Sequence, residues 1–332
     1  MDIQPILNQY LDLALAPRTA STYSSAWKSY AEFCRTAQLQ PLPVLESNLL
    51  YFITTSATRN ISHQSLKVYL SGISHHALRA GHPFNVSNMN NVYLLLRGIR
   101  RSQGDTLTRP PRPPISSPNM LTLFQLIRFC HPNQDGLMLW CACSFAFFGL
   151  LRASEYTAPS RDSSNDHTLL ASGVSINHAK TCVSLQLRGS KTDPFRHGST
   201  IRLFKVHSVI CPVHAFNLYG VHCTDQDLPF FRFKDGTFLT RLNMVSLLRT
   251  VFPTAGFNTH SFRIGGATAS ASQGIPYAII QILGRWSSNC FVRYLRVSDS
   301  DLAAYQQRMS SKLPPSRRWD SDHLTSSSNN PH

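Results

Sequence analysis

The stretch GRWSSNCFVRYLR, residues 284–296, sets Trp286 and Tyr294 eight positions apart with Arg285, Arg293 and Arg296 around them. Upstream, HSFRIGGATAS (260–270) places His260 and Arg263 at i and i+3, on one face of a helix, ahead of Gly265 and Gly266, which permit close approach of another backbone. GLLRASEY (149–156) ends an apolar run on Arg152, with Glu155 three residues on. An arginine there is costly unless paired, so Glu155 is its expected partner. Lys191 falls near a Gly/Ser/Asp/Pro-containing turn. Two guanidiniums can hold the non-bridging oxygens of a phosphodiester in bidentate, charge-assisted hydrogen bonds. A histidine manages protons, an indole N–H donates one more bond, and a lysine on a turn can protonate a leaving alkoxide. A tyrosine, whose phenol ordinarily has a pKa of about 10, becomes a nucleophile once those cations help remove its proton. No carboxylate cage for Mg²⁺ is present in the set. Cations would stabilise the charge of a pentacovalent transition state instead.

The bulk composition suits an anionic partner. Among 332 residues stand 32 Lys+Arg against 17 Asp+Glu, a formal net charge of +15 with pI near 9.8. That excess points to a polyanion, and nucleic acid is preferred over an anionic membrane. The most apolar run, GLMLWCACSFAFFGLL (136–151), is short for a membrane span and predicts a buried helix. Met1 to Gln9 lacks the apolar segment of a signal peptide, so the eight cysteines are expected to be reduced thiols. Cys211, His214, His222 and Cys223 have poor spacing for zinc. Pro212 reads better as the first turn of a helix burying Val213, Phe216, Leu218 and Tyr219.

The elements that must position these groups fall into two parts. Residues 1–103 predict a bundle of helices: 21–34 carries Tyr23, Trp27, Tyr30 and Cys34 on one face, and 62–81 carries Leu66, Leu70, Ile73 and Ala77 before Gly81. The stripe at 89–104 ends on Arg97, Arg100 and Arg101. A proline-rich linker is expected over 104–118, extended along the surface, where Arg109 and Arg112 could lie against phosphates. Residues 119–312 predict a mixed α/β domain. It has helices at 119–130 and 136–151, a β-hairpin at 181–206 and helices again from Cys211 to about 312. A polar, disordered tail is expected over 313–332. The fold class expected is mainly α with a small β-hairpin or sheet.

The order Arg…Lys…His-x-x-Arg…Trp…Tyr resembles the tyrosine recombinases, or phage-integrase-like recombinases, across the whole second domain. The wording LRASEY, SKTDPFRHG, HSFRIGGAT and LGRWSSNCFVRYLR is closest to the recombinases of DIRS-type retroelements. The resemblance spans roughly residues 10 to 310, less specifically in the first hundred, which look like the family's helical core-binding domain. It implies that Arg152 and Arg263 clamp the scissile phosphate, and that Lys191 is the general acid for the departing 5′ hydroxyl. It further implies that His260 assists proton transfer, that Trp286 takes a position many members fill with histidine, and that Tyr294 forms a 3′-phosphotyrosyl bond. Glu155 resembles the family's acidic residue after the first arginine. The implied partner is double-stranded DNA, bound by a homo-tetramer on synapsed sites, with no cofactor, membrane or small-molecule substrate, in a nucleus.

Two departures matter. Trp286 cannot shuttle a proton, leaving hydrogen bonding and packing. Its separation from Tyr294 is one residue shorter than is common in bacterial and phage members, though it suits the retroelement-like subgroup. Tyr305, in an amphipathic pattern with Leu302 and Met309, is the rival nucleophile, and Tyr294 is preferred on its motif. Arg293 and Arg296 are expected on DNA phosphates, and Phe291, Val292 and Leu295 in packing. Competing readings are a DNA-binding protein that has kept a mobile-element recombinase fold for another purpose, and a type IB topoisomerase.

Overall fold

The computed structural model describes residues 3–104, 111–131, 133–189, 197–220, 223, 225–296, 299, 302–303 and 306–307. The chain is mainly helical with one small antiparallel sheet, and it divides into two compact units, Met1–Pro111 and Arg112–His332. No helix among the described residues is long and apolar enough to cross a membrane.

Among the described residues five α-helices build the first unit: α1 (Gln4–Leu13), α2 (Pro17–Thr36), α3 (Glu46–Thr58), α4 (His63–Arg79) and α5 (Asn90–Gln103). α2 starts on Pro17, earlier than its Ser/Thr-rich segment suggests, because proline's fixed φ suits the first helical position. Tyr30, Leu49, Phe52, Ile53, Leu66 and Ile73 share one core. α4 stops as its sequence predicts: Gly81 follows the cap with φ +79°, His82 N–H donates to Ala77 O and Gly81 N–H to Leu78 O. This is the paired closure that satisfies orphan carbonyls at a helix end. Arg97, Arg100 and Arg101 are exposed on α5.

The second unit is organised around α7 (Gln134–Phe148), whose residues are buried nearly all round. An all-apolar helix has no face to give to solvent, so it becomes the centre of a core. α6 (Ser117–Cys130) packs against it, capped by Ser116, which exchanges hydrogen bonds with Asn119. The helix begins inside the span expected to be linker, and Ile115 is fully buried rather than extended over the surface. Its N–H donates to Ser261 O at 3.0 Å. A Cβ on Gly265 would stand 1.9 Å from Ile115 O, and one on Gly266 would stand 2.3 Å from Phe147 O, so both glycines serve close backbone contacts.

The expected hairpin is present as β2 (Cys182–Leu187) against β3 (Ser199–Phe204), with Val183 opposite Leu203 and Leu185 opposite Ile201. A third strand, β1 (Val174–Ile176), pairs on the other side of β2. Alternation turns Ile201 and Leu203 inward and leaves Thr200, Arg202 and Phe204 outside. The four-residue α8 (Ala153–Tyr156) follows α7, and α9 (Pro212–Tyr219) follows the sheet with proline in its first turn. α9 buries Val213, Ala215 and Tyr219, whereas Leu218 is exposed. Helical structure does not simply resume there. The described residues between Cys223 and Thr240 form turns and isolated bridges, with Phe230 and Phe231 in the core. Then come α10 (Arg241–Val251), α11 (Ser261–Ser272), α12 (Tyr277–Gly284) and a 3₁₀ turn, Asn289–Tyr294.

The chain turn with Lys191, residue Arg109, the zinc candidate His222, Tyr305 and the tail 313–332 lie outside the described residues. Among the described residues no three His, Cys, Asp or Glu side chains converge.

Candidate active site

The C-terminal end of α7 supplies the floor of the site. The last carbonyls of any helix lack intrahelical partners and carry the negative end of its dipole. Two arginines from far along the chain meet the carbonyls just past this end, at the cap Gly149 and at Leu150. Arg263, on α11, donates from Nη1 to Leu150 O and from Nη2 to Gly284 O (2.5 Å). Arg285, just after α12, donates from Nη1 to Gly149 O at 3.0 Å. The backbone bends sharply here, with Leu150 at φ +45° and Arg285 at φ +55°. Left-handed conformations of bulky residues are costly and tend to be kept where a site demands them.

Glu155, at 0 % exposure, joins this floor to the start of α8. Its Oε1 accepts from Arg152 Nη1 at 2.9 Å, and its Oε2 accepts both the Arg152 N–H at 2.8 Å and Arg285 Nη2 at 2.7 Å. The expected pairing of Arg152 with Glu155 is therefore present. Arg285, which looked like a wet-face residue, is the carboxylate's second partner. Two guanidiniums share one carboxylate and Arg263 stands beside them, so three positive charges face one negative in a largely dry region. Burial, Arg152 and Arg285 press the pKa of Arg263 down to about 9, opposed by Glu155 and Tyr294. It still carries its charge at neutral pH.

The aromatic residues stand beside this cluster. Arg263 lies over the Trp286 ring, 4.2 Å from its centroid, a cation–π contact in a desolvated place. Trp286 is buried with Leu150, Ala267, Ile280 and Phe291. Tyr294 packs on Trp286 with centroids 5.3 Å apart, and edge-on to His260 at 5.1 Å. The backbone of Tyr294 is clipped to α11: Thr268 Oγ1 donates to Tyr294 O at 3.1 Å and accepts the Arg296 N–H at 3.2 Å. His260 caps α11. The peptide before it is held by Tyr156, whose hydroxyl donates to Thr259 O at 3.0 Å. Burial first, then Arg263, Arg112, Arg152 and Arg241, lower the pKa of His260 to about 4. The imidazole is neutral at pH 7 and able to accept a proton.

The structure thus brings together Arg152, Glu155, His260, Arg263, Trp286 and Tyr294. Arg112 is exposed, yet its charge acts on His260. Arg293 is exposed, while Arg296 folds its guanidinium back onto Arg293 O and Leu295 O. Phe291 packs as expected, but Val292 is 52 % exposed. Three residues escaped sequence reasoning. Thr268 sits in a run of small residues that carries no signal, and Arg241 is an exposed first residue of α10. Arg285 sits among other arginines, and its left-handed cap, a conformation that usually goes to Gly or Asn, is seen only in the structure.

No protein-family model matches the chain, and no curated protein is similar to it in sequence. Solved structures do match. The XerH site-specific recombinase bound to palindromic difH substrate aligns with a TM-score of 0.61 at 13% identity, over 87% of this chain and 78% of that one. A lambda integrase dimer bound to a COC′ core site gives 0.53 at 14% identity, over 89% and 77%. The Tn1549 transposon integrase with circular intermediate DNA gives 0.51 at 11%, over 85% and 98%. The fold is that of the tyrosine recombinases. Upon the tyrosine-recombinase fold this chain carries a tryptophan against its tyrosine and an arginine directly before that tryptophan, both drawn into the floor at the end of α7.

Proposed function

We propose that this chain cuts and rejoins double-stranded DNA through a 3′-phosphotyrosyl intermediate. One observation carries the reading: the Tyr294 ring rests between a neutral His260 and Trp286, beside Arg152, Arg285 and Arg263, three charges set against the one carboxylate of Glu155. A phosphodiester brings one negative charge, and the trigonal-bipyramidal transition state gathers more, so surplus fixed charge favours the latter. Tyr294 Oη attacks phosphorus and loses its proton, for which His260 is the acceptor. The P–O5′ bond breaks and O5′ gains a proton, for which Lys191 is the proposed donor. Attack by another strand's 5′ hydroxyl reverses the steps and frees the tyrosine. Each bond broken is matched by one formed, so no nucleotide hydrolysis is needed.

In this reading Arg152 and Arg263 stabilise the phosphate's developing charge. Arg263, with two of its five N–H groups committed to carbonyls, acts from below more by its field than as an open fork. Arg97, Arg100, Arg101, Arg109, Arg112 and Arg293 bind the DNA backbone. A homo-tetramer on two synapsed duplexes, in the nucleus, and kinship with DIRS-type retroelement recombinases belong to the same proposal and rest on the sequence motifs.

The test is a trap. Duplexes of randomised sequence, nicked just beyond each candidate cleavage point so that the departing fragment is lost, should accumulate a covalent protein–DNA adduct that Tyr294→Phe does not form. A wild-type chain that binds the selected DNA and never forms the adduct would overturn the reading in favour of a repurposed DNA-binding protein. Relaxation of supercoiled plasmid by the monomer would move it to a topoisomerase.

A further inference from the structure

We infer that Arg285 is a positioning residue for the cleavage step, fixing Arg152 through the carboxylate the two share. The inference rests on the reading that the chain cleaves DNA at this site.

The geometry runs through Glu155. Arg152 precedes a helix of four residues, and its side chain is 17 % exposed. The carboxylate at i+3, fully buried, is bonded to both its N–H and its Nη1. A buried carboxylate must itself be fixed to serve as an anchor, and the group that fixes it from outside α8 is Arg285 Nη2 at 2.7 Å. Arg285 is in turn held by Gly149 O at 3.0 Å, at the end of the most buried helix in the unit. The chain of contacts runs α7 end, Arg285, Glu155, Arg152, from the core to the predicted phosphate ligand.

The residue type fits this task. Two acceptors, met by Nη1 and Nη2 separately, suit the planar fork of a guanidinium, and an ammonium would have to choose between them. The backbone makes the same point. Arg285 has φ +55° and ψ 45°, a conformation that favours glycine or asparagine, yet a long charged side chain stands there. Its Nε is buried and meets no acceptor among the described residues. Burial pushes the guanidinium's pKa down, and Arg152 adds to that while Glu155 opposes it. A residue kept against steric and solvation costs, at one end of a relay of charged bonds, is holding something in register.

The test uses the full chain and the nicked duplex selected by the covalent trap. Arg285→Gln should slow adduct formation about 100-fold, the loss expected when a reacting group shifts by about 1 Å. Affinity for the duplex should stay within about threefold, because Arg285 acts on the cleavage geometry and not on docking. Arg285→Lys should recover part of the rate, since an ammonium can keep the bond to Glu155 while giving up Gly149 O. Glu155→Gln combined with Arg285→Gln should be no slower than the slower single variant, because both break one relay. Arg285→Gln cleaving at the wild-type rate would overturn the inference. So would a folded Arg285→Lys as slow as Arg285→Gln, or a double variant whose losses multiply. Should Arg285→Gln fail to fold, Arg285→Lys and the Glu155→Gln comparison still decide. Absence of any adduct from the wild-type chain would instead sink the DNA-cleavage reading itself.

Discussion

Gly265→Ala puts a single methyl group between two backbones. The new Cβ would stand 1.9 Å from Ile115 O, 2.8 Å from its carbonyl carbon and 3.0 Å from its nitrogen. Non-bonded carbons settle at about 3.5–4 Å, so α11 and the 112–116 segment must part by roughly 1.5 Å. Neither side can yield by turning a side chain. Parting them strains the 3.0 Å bond from Ile115 N–H to Ser261 O, worth about 1 kcal/mol, and opens the packing of a fully buried isoleucine, worth about 2–3 kcal/mol. Alanine returns up to about 1 kcal/mol in helix propensity, leaving a net loss of about 2–3 kcal/mol. Gly98→Ala is the control: it is also helical, but nothing lies within 4 Å of its added Cβ, so it should stabilise the first unit by up to about 1 kcal/mol. Urea unfolding followed by circular dichroism separates the two. With m near 2 kcal/mol per molar, Gly265→Ala should lower the midpoint of the second unit by about 1 M. Because the displaced segment carries Arg112 and the cap of α6, adduct formation should fall as well. A Gly265→Ala protein as stable as wild type, or shifted upward as Gly98→Ala is, would refute the close-contact argument.

Protonation of His260 should be visible in acid. Its folded pKa of about 4 lies below the 6.5 ordinary for an imidazole, so both states are neutral above that value. As pH falls from 6.5 towards 4 the unfolded chain takes up a proton that the folded one resists, and about 2 kcal/mol of stability is lost after allowing for the ring's partial exposure. His260→Gln should flatten that limb of the pH–stability curve, and an unchanged limb would contradict the assignment. Bound DNA should raise the His260 pKa, measurable by NMR of the imidazole protons, because a phosphate offsets the surrounding arginines. Thr268→Val removes the hydroxyl that joins Tyr294 O to the Arg296 N–H, and adduct formation should slow about tenfold, or ~1.4 kcal/mol, at unchanged DNA affinity. Loss of affinity in parallel with rate would show that the clip is merely structural. DNA affinity should fall with salt on a log–log slope of about −4 or steeper, and Arg100→Gln should reduce its magnitude by about 1. A slope near zero would remove the phosphate contacts altogether.

What the sequence made legible follows from where its signals are local. Helical periodicity marked α2, α4 and α5, and the alternation around residues 181–206 marked β2 and β3, because each reflects a face that neighbours in sequence share. The pairing of Arg152 with Glu155 was legible for the same reason, being an i, i+3 contact. Contacts across more than a hundred residues left no such trace. Ile115 reads as linker because its neighbours are prolines, and only its bond to Ser261 reveals it as core. Arg285 reads as solvent-facing because Arg293 and Arg296 flank the same stretch, while its partners Gly149 and Glu155 lie on another helix end. β1 is three residues long, too short for alternation to register, and exists by pairing with β2.

The end of α7 has a consequence for how the protein is made. The carbonyls just beyond it, of Gly149 and Leu150, are met by residues 285 and 263, which a ribosome adds more than a hundred residues later. Until then the emerging chain holds an apolar helix whose far-sequence partners have yet to be made. At ordinary elongation rates that interval lasts several seconds or longer, ample time for a holdase to bind or for two nascent chains to stick. The last step of folding and the assembly of the chemistry would then be one event, because the helix that closes over α7 also carries Arg263.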